Sequence, residues 1–162
     1  CDWSSGRVLF RSVRKTVYGD PQFNEPYDGV VYCVAASLGF AILENILYVM
    51  SGGVGVAIVR ALLSVPAHAL FGVFLGYFLG RAKFAPPEQR KRYHLAGLAV
   101  ATITHGLYDF VLMTNIPLIQ LTVLPMLGVF WVVGLWKVKT LVAQSPFIGQ
   151  TLAGPVPAVE RG

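Results

Sequence analysis

The sequence predicts an all-α polytopic membrane protein, a bundle of four transmembrane helices. Three observations carry that prediction. Of 162 residues, 55% are hydrophobic and only 13% are charged, about half the charged share usual in a soluble domain. Mean hydropathy is +0.61. Charge is also missing in blocks: residues 110–136 and 61–80 contain no Asp, Glu, Lys or Arg, and about 20 apolar residues suffice for a helix to cross a bilayer. Such a chain is not a soluble enzyme, a disordered protein or a disulfide-stapled secreted domain. A β-barrel is disfavoured because no segment alternates apolar and polar residues.

Each element follows in order. Residues 5–18, SGRVLFRSVRKTVY, read as the end of a helix whose apolar part lies upstream of residue 1. Cys1 in place of Met points the same way, to a piece of a longer protein. The Pro- and Gly-containing stretch at 20–29 is a connector. Apolar runs at 29–50, 54–81, 93–113 and 117–136 are the four spans, each long enough to close its own backbone hydrogen bonds in lipid. SGG at 51–53 and the short segment at 114–116 are turns. Pro66 removes one helical hydrogen bond and predicts a bend in the second span, with room for water beside His68. Residues 145–162, rich in Pro and Gly, read as a flexible tail. The domain division is thus 1–28, 29–140 and 141–162.

The net charge of +5 is a topology signal and not one for nucleic acid. Arg7, Arg11, Arg14 and Lys15 precede the first span. Arg81, Lys83, Arg90, Lys91 and Arg92 fill the second link, and Lys137 and Lys139 follow the fourth span. The other two links are uncharged. This alternation places both ends of the chain and the 81–92 loop on the cytoplasmic side. Tyr48, Tyr93, Trp131 and Trp136 fall near span ends, in the headgroup layer. Cys33 is expected to be a small packing residue. His94 is expected to be a solvated surface group, and Glu88 has no assigned role.

Glu44, Arg60, His68, His105 and Asp109 lie inside the spans, where each charge costs roughly 2.5–3.5 kcal/mol and therefore asks for a function or a partner. Counting about 1.5 Å per residue from the cytoplasmic ends places Glu44 at roughly 22 Å, His68 at roughly 20 Å, His105 at roughly 18 Å and Asp109 at roughly 24 Å. Four polar residues from three helices converge on one layer in the outer half of the membrane, with Arg60 higher still. His105 and Asp109 share a helix face with Gly97, Ala101 and Thr102. Arg60, Ser64, His68 and Gly72 form a second stripe, and Ser37, Glu44 and Tyr48 a third. Two histidines and a carboxylate can hold a hydrolytic metal ion or orient a water without metal. The structural alternatives are an ion pair of Glu44 with Arg60, and Asp109 serving only to orient His105.

The segments DPQFNEPYDGVVYCVAASLGFAILENILYV at 20–49, RALLSVPAHALFGVFLGYFLGRAKF at 60–84 and HGLYDFVL at 105–112 together resemble the PrsW family of intramembrane proteases. That family is related to the CAAX-protease and bacteriocin-processing superfamily. The resemblance covers roughly residues 14–112 and rests on Asp28-Gly29, Glu44-Asn45, Pro66-x-His68 and His105-x-x-x-Asp109 in that order. It implies a protease of the bacterial cytoplasmic membrane that cuts single-span membrane proteins of the anti-sigma-factor type in stress signalling. Glu44, His68, His105 and Asp109 are its implied catalytic residues, with His68 and His105 as metal ligands for zinc, or as water-holding groups in a metal-free site. Asp109 stands where CAAX proteases often carry Asn. The family also carries a glutamate pair on the helix before the connector, a leading candidate for the base. Residues 5–18 contain no glutamate, so the resemblance implies that the pair lies upstream and that a fragment without it is inactive. Two other classes remain open: a non-catalytic membrane scaffold, as in a subunit of gamma-secretase from the same superfamily, and a proton-coupled transporter.

Overall fold

The computed structural model describes residues 4–147. Among these residues there is no strand, and the helices are α1 (Ser4–Thr16), α2 (Asp28–Leu62), α3 (Ser64–Phe84), α4 (Pro87–Met113), α5 (Pro117–Leu121) and α6 (Val123–Val142). Four candidate spans are long and apolar enough to cross a membrane: α2, α3, α4, and α5 with α6. The expected tail lies outside the described residues from position 148 on, as does Cys1.

Packing is organised around α3. Gly72, Gly76 and Gly80 form a stripe of small residues at four-residue spacing, which lets two backbones meet closely. A side-chain carbon at Gly72 would fall 2.8 Å from the Cα of Val34, and one at Gly29 would fall 2.6 Å from the carbonyl oxygen of Gly76. One helical turn further along, the Ser37 hydroxyl donates to the His68 carbonyl at 2.7 Å. Pairing 29 with 76, 33 with 72 and 37 with 68 makes α2 antiparallel to α3. On the other side Gly97 abuts Phe78, and His105 lies against Phe71, so α4 is antiparallel to α3 as well. Phe130 meets Phe71, and Lys137 meets Tyr77, so α6 runs parallel to α3. Cys33 is fully buried in this packing, as expected.

The reversal inside α2 falls at the turn the sequence reading placed at 51–53. The Arg60 guanidinium bonds Glu44 at 2.6 Å, whereas 16 residues of straight helix would separate them by about 24 Å. The chain therefore doubles back at Gly53, whose φ of 72° is open to glycine at little cost. Helix 28–52 and the short arm 54–62 form a hairpin, with the SGG turn where it is expected. Two boundaries depart from that reading, and the first is that the run 54–81 does not continue through Pro66. The helix breaks at Leu63, and α3 starts at Ser64. Pro66 thus sits in the first turn of a new helix, where its missing N–H would have had no intrahelical partner. The second is the basic loop at 81–92, which is almost wholly helical. The link between α3 and α4 is only Ala85 and Pro86. The fourth span likewise runs on, through α6 to Val142.

The connector is tied down by its own residues. Asp28 Oδ2 accepts from the backbone N–H of Asn24 and Glu25 at 2.9 and 3.0 Å. Phe23 is buried among Tyr18, Tyr32 and Phe84. α1 packs on α2 and α4 through Leu9, Phe10 and Val13. His94 is packed there too, 5.4 Å from the Phe10 ring and 5.8 Å from Tyr18, with its Nε2 buried and unbonded. This corrects the expected solvated histidine: α1 lies over it.

Candidate functional site

His68 is buried on the first turns of α3, 2% exposed. Its Nδ1 lies 2.8 Å from the Ser64 carbonyl oxygen. A carbonyl can only accept, so Nδ1 carries the proton and Nε2 presents a lone pair in the neutral ring. That Nε2 is buried without a hydrogen bond and lies 3.4 Å from Glu44 Oε2. The separation is too long for a good N–H···O bond. Two acceptor atoms facing each other at this distance call for a proton, a water hydrogen or a cation between them.

His105 comes from α4 and stands beside His68, ring centroids 5.1 Å apart. Its Nε2 lies 3.3 Å from Asp109 Oδ2, one turn along the same helix. Phe71 stacks on the His105 ring at 5.0 Å and meets His68 edge-on at 5.7 Å. One donor atom from each of Glu44, His68 and His105 falls within 4.8 Å of the other two. A cavity of about 20 Å³ opens beside both histidines, lined by Ser37, Phe40, Phe71 and Leu9 among others. That is room for about one water, beside His68 as expected, although α3 starts at Ser64 and does not bend at Pro66.

Arg60, counted as higher than this layer, reaches into it with its guanidinium. Its Nε donates to Asn45 Oδ1 and its Nη2 to Glu44 Oε2, both at 2.6 Å, and its guanidinium lies 4.0 Å above the Tyr48 ring. Glu44 therefore has the ion-pair partner expected of it and also reaches His68. The structure brings together all four residues singled out by depth and spacing. One contributor was missed. Phe71 walls both imidazoles, and its position three residues after His68 was the available signal. Asn45 and Tyr48, already singled out beside Glu44, hold Arg60.

Zinc fits this donor set. Two imidazoles and one carboxylate are an ordinary zinc complement, His68 holds its other nitrogen to a carbonyl as metal-bound histidines do, and its free Nε2 lacks a partner. Asp109 stands 3.3 Å from His105 on the same helix.

Comparison with known proteins identifies the family. The family model described as PrsW family intramembrane metalloprotease matches residues 12–137. Proteins named Protease PrsW are similar to this chain: that of Geobacillus kaustophilus (strain HTA426) is 50% identical over 100 residues, 61% of this chain and 44% of the relative. That of Bacillus subtilis (strain 168) is 45% identical over 124 residues, covering 76% and 56%. That of Clostridioides difficile (strain 630) is 33% identical over 125 residues, covering 74% and 50%. The chain spans about half the length of the curated relatives it matches. No solved structure matches. With more than three-quarters of its residues inside the family match and its polar motif residues gathered in one layer of a four-span bundle, the chain belongs to the PrsW family of intramembrane metalloproteases.

Proposed function

We propose that the protein is an endopeptidase of the bacterial cytoplasmic membrane. Its substrates would be single-span membrane proteins of the anti-sigma-factor type, cut in the outer half of the bilayer. Residues 29–140 form the protease-like domain, and both ends of this chain face the cytoplasm. The carrying observation is the convergence of Glu44, His68 and His105 donor atoms within 4.8 Å, from three helices, inside an apolar bundle.

In peptide hydrolysis a water oxygen adds to the scissile carbonyl carbon, one water proton leaves to a base, and the departing amine takes up a proton. Glu44 would accept a hydrogen bond from that water and polarise it. His68, through its bare Nε2, would fix the water's second contact. Asp109 would orient His105 and balance charge on it. Arg60 holds the Glu44 carboxylate in place through its guanidinium. Zinc, held by His68 and His105 with Glu44, would act as a Lewis acid toward the carbonyl and the water. The same three groups can also hold a water directly, which is the metal-free form of the reading. The glutamate pair implied by the family resemblance would supply the base from outside residues 5–18.

The test uses the full-length protein co-expressed with a tagged single-span substrate. Cleavage should fall by about a hundredfold or more for His68→Ala and for His105→Ala, equivalent to about 2.7 kcal/mol of transition-state stabilisation. Wild-type cleavage in either variant overturns the reading. Zinc content of the purified proteins separates the two forms: stoichiometric zinc lost in both variants supports a metal site.

The Glu44–Arg60 pair favours one second reading, a non-catalytic scaffold in which the polar layer only joins helices. There Glu44→Gln would lower stability and leave no chemistry to lose.

A further inference from the structure

The face of α1 turned away from the bundle carries Arg7, Arg11 and Arg14 at spacings of four and three, with Lys15 beside them. These four line an open cleft of about 790 Å³ whose other walls are Val8, Phe10 and Leu98. Among the described residues no carboxylate lines it. None of the ion pairs among the described residues involves Arg11, Arg14 or Lys15. Arg11, Arg14 and Lys15 stand within five positions and repel one another, so they cost stability unless an anion joins them.

We propose that this cleft binds an anionic phospholipid, its phosphate held by Arg11, Arg14 and Lys15 and its acyl chains against Val8, Phe10 and Leu98. Two features select a lipid over a soluble anion. The first is depth. The Phe10 ring contacts His94, at the beginning of the 93–113 apolar run, so the cleft sits where headgroups meet hydrocarbon. The second is the mixed lining. Guanidinium groups pair with phosphate through two parallel hydrogen bonds, and the adjoining apolar side chains match the glycerol and first methylenes. A free phosphate would leave those apolar walls wet. The site differs from the polar layer but is mechanically joined to it. The opposite face of α1 places Leu9 in the wall of the His68–His105 cavity and buries Val13. A lipid seated on α1 would brace the helix that closes that wall.

The experiment does not depend on proteolysis. Full-length protein is reconstituted in nanodiscs containing phosphatidylcholine and phosphatidylglycerol, released into detergent, and its retained lipid counted by native mass spectrometry. Wild type should retain phosphatidylglycerol in preference to phosphatidylcholine. The triple variant Arg11→Gln/Arg14→Gln/Lys15→Gln should lose that retention by at least about tenfold, since each cation near an anionic headgroup is worth about 1 kcal/mol. The triple variant Lys91→Gln/Arg92→Gln/Lys139→Gln, which removes equal charge from exposed positions outside the cleft, should retain lipid as wild type does. Three results overturn the proposal. Equal loss in both variants would mean bulk charge alone. No loss in the cleft variant would mean that another segment of the polypeptide or a partner covers α1. Complete displacement by excess inorganic phosphate would mean a soluble-anion site.

Discussion

α3 and α6 invert the usual link between hydropathy and burial. Of the four candidate spans the one containing α6 is the most apolar, yet only 17% of its apolar window is buried. α3 is the least apolar, and 67% of its window is buried. In water the most apolar helix would go inside. In lipid the apolar side chains of α6 are already solvated, so burial follows close fit and polar partners instead. Thus α3 carries Gly72, Gly76, Gly80, Ser64 and His68 inward, while α6 shows Val129, Val132, Leu135 and Trp136 outward. The site lies on the buried helix because only there can an imidazole be desolvated and held by neighbours.

The strongest way to break this contrast is at the glycine stripe. A side chain at Gly76 would collide with the backbone of Gly29 and Val30, and neither helix has a flexible end to move. Gly76→Val should destabilise the full-length protein by about 3 kcal/mol or more, read as loss of the monodisperse species on heating in detergent. A stable Gly76→Val protein would mean that α2 and α3 do not touch along this stripe.

Next in size is the clasp that folds the short arm of α2 back onto the site. The side chains of Arg60 and Glu44 are 14% and 23% exposed. Arg60→Met leaves Glu44 with an uncompensated charge beside His68 and should cost about 1–3 kcal/mol. In the double variant Arg60→Met/Glu44→Gln the two losses should be less than additive, giving a coupling of about 1 kcal/mol by steric-trap unfolding. Additive losses would show that the clasp contributes nothing as a pair.

The same contrast explains what was legible in the sequence. The number of spans and the layer of Glu44, His68, His105 and Asp109 could be read because bilayer thickness converts residue counts into heights. The placement of Arg60 could not be read that way. Height counting assumes an unbroken helix over 54–81, and that run breaks at Leu63. Pro66 was a correct sign of irregularity, but a proline serves equally in the middle of a kinked helix and in the first turn of a new one. Only tertiary contacts decide between them. Burial of His94 was hidden for a related reason: basic neighbours in sequence suggested solvent, while α1 covers the ring from a distant position.

A smaller effect is expected at Ser37, whose hydroxyl donates to the His68 carbonyl across the α2–α3 contact at 2.7 Å. Intramembrane hydrogen bonds of this kind average about 0.6 kcal/mol, and Ser37→Ala should cost about that much. A loss above about 2 kcal/mol would mean that this contact, and not the glycine stripe, holds the helices together.

The smallest effect belongs to α6. A side-chain carbon added at Gly128 meets nothing within 4 Å, and the residue is exposed. Ala is a better helix former than Gly by up to about 1 kcal/mol, and lipid accepts the extra methyl without penalty. Gly128→Ala should therefore leave stability unchanged or raise it by about 0.5 kcal/mol in the same unfolding assay. The comparison with Gly76 then becomes quantitative: two glycines in apolar helices, differing only in whether a backbone lies opposite. A clear loss at Gly128 would place another protein surface against α6, and the lipid-facing side of the contrast would have to be redrawn.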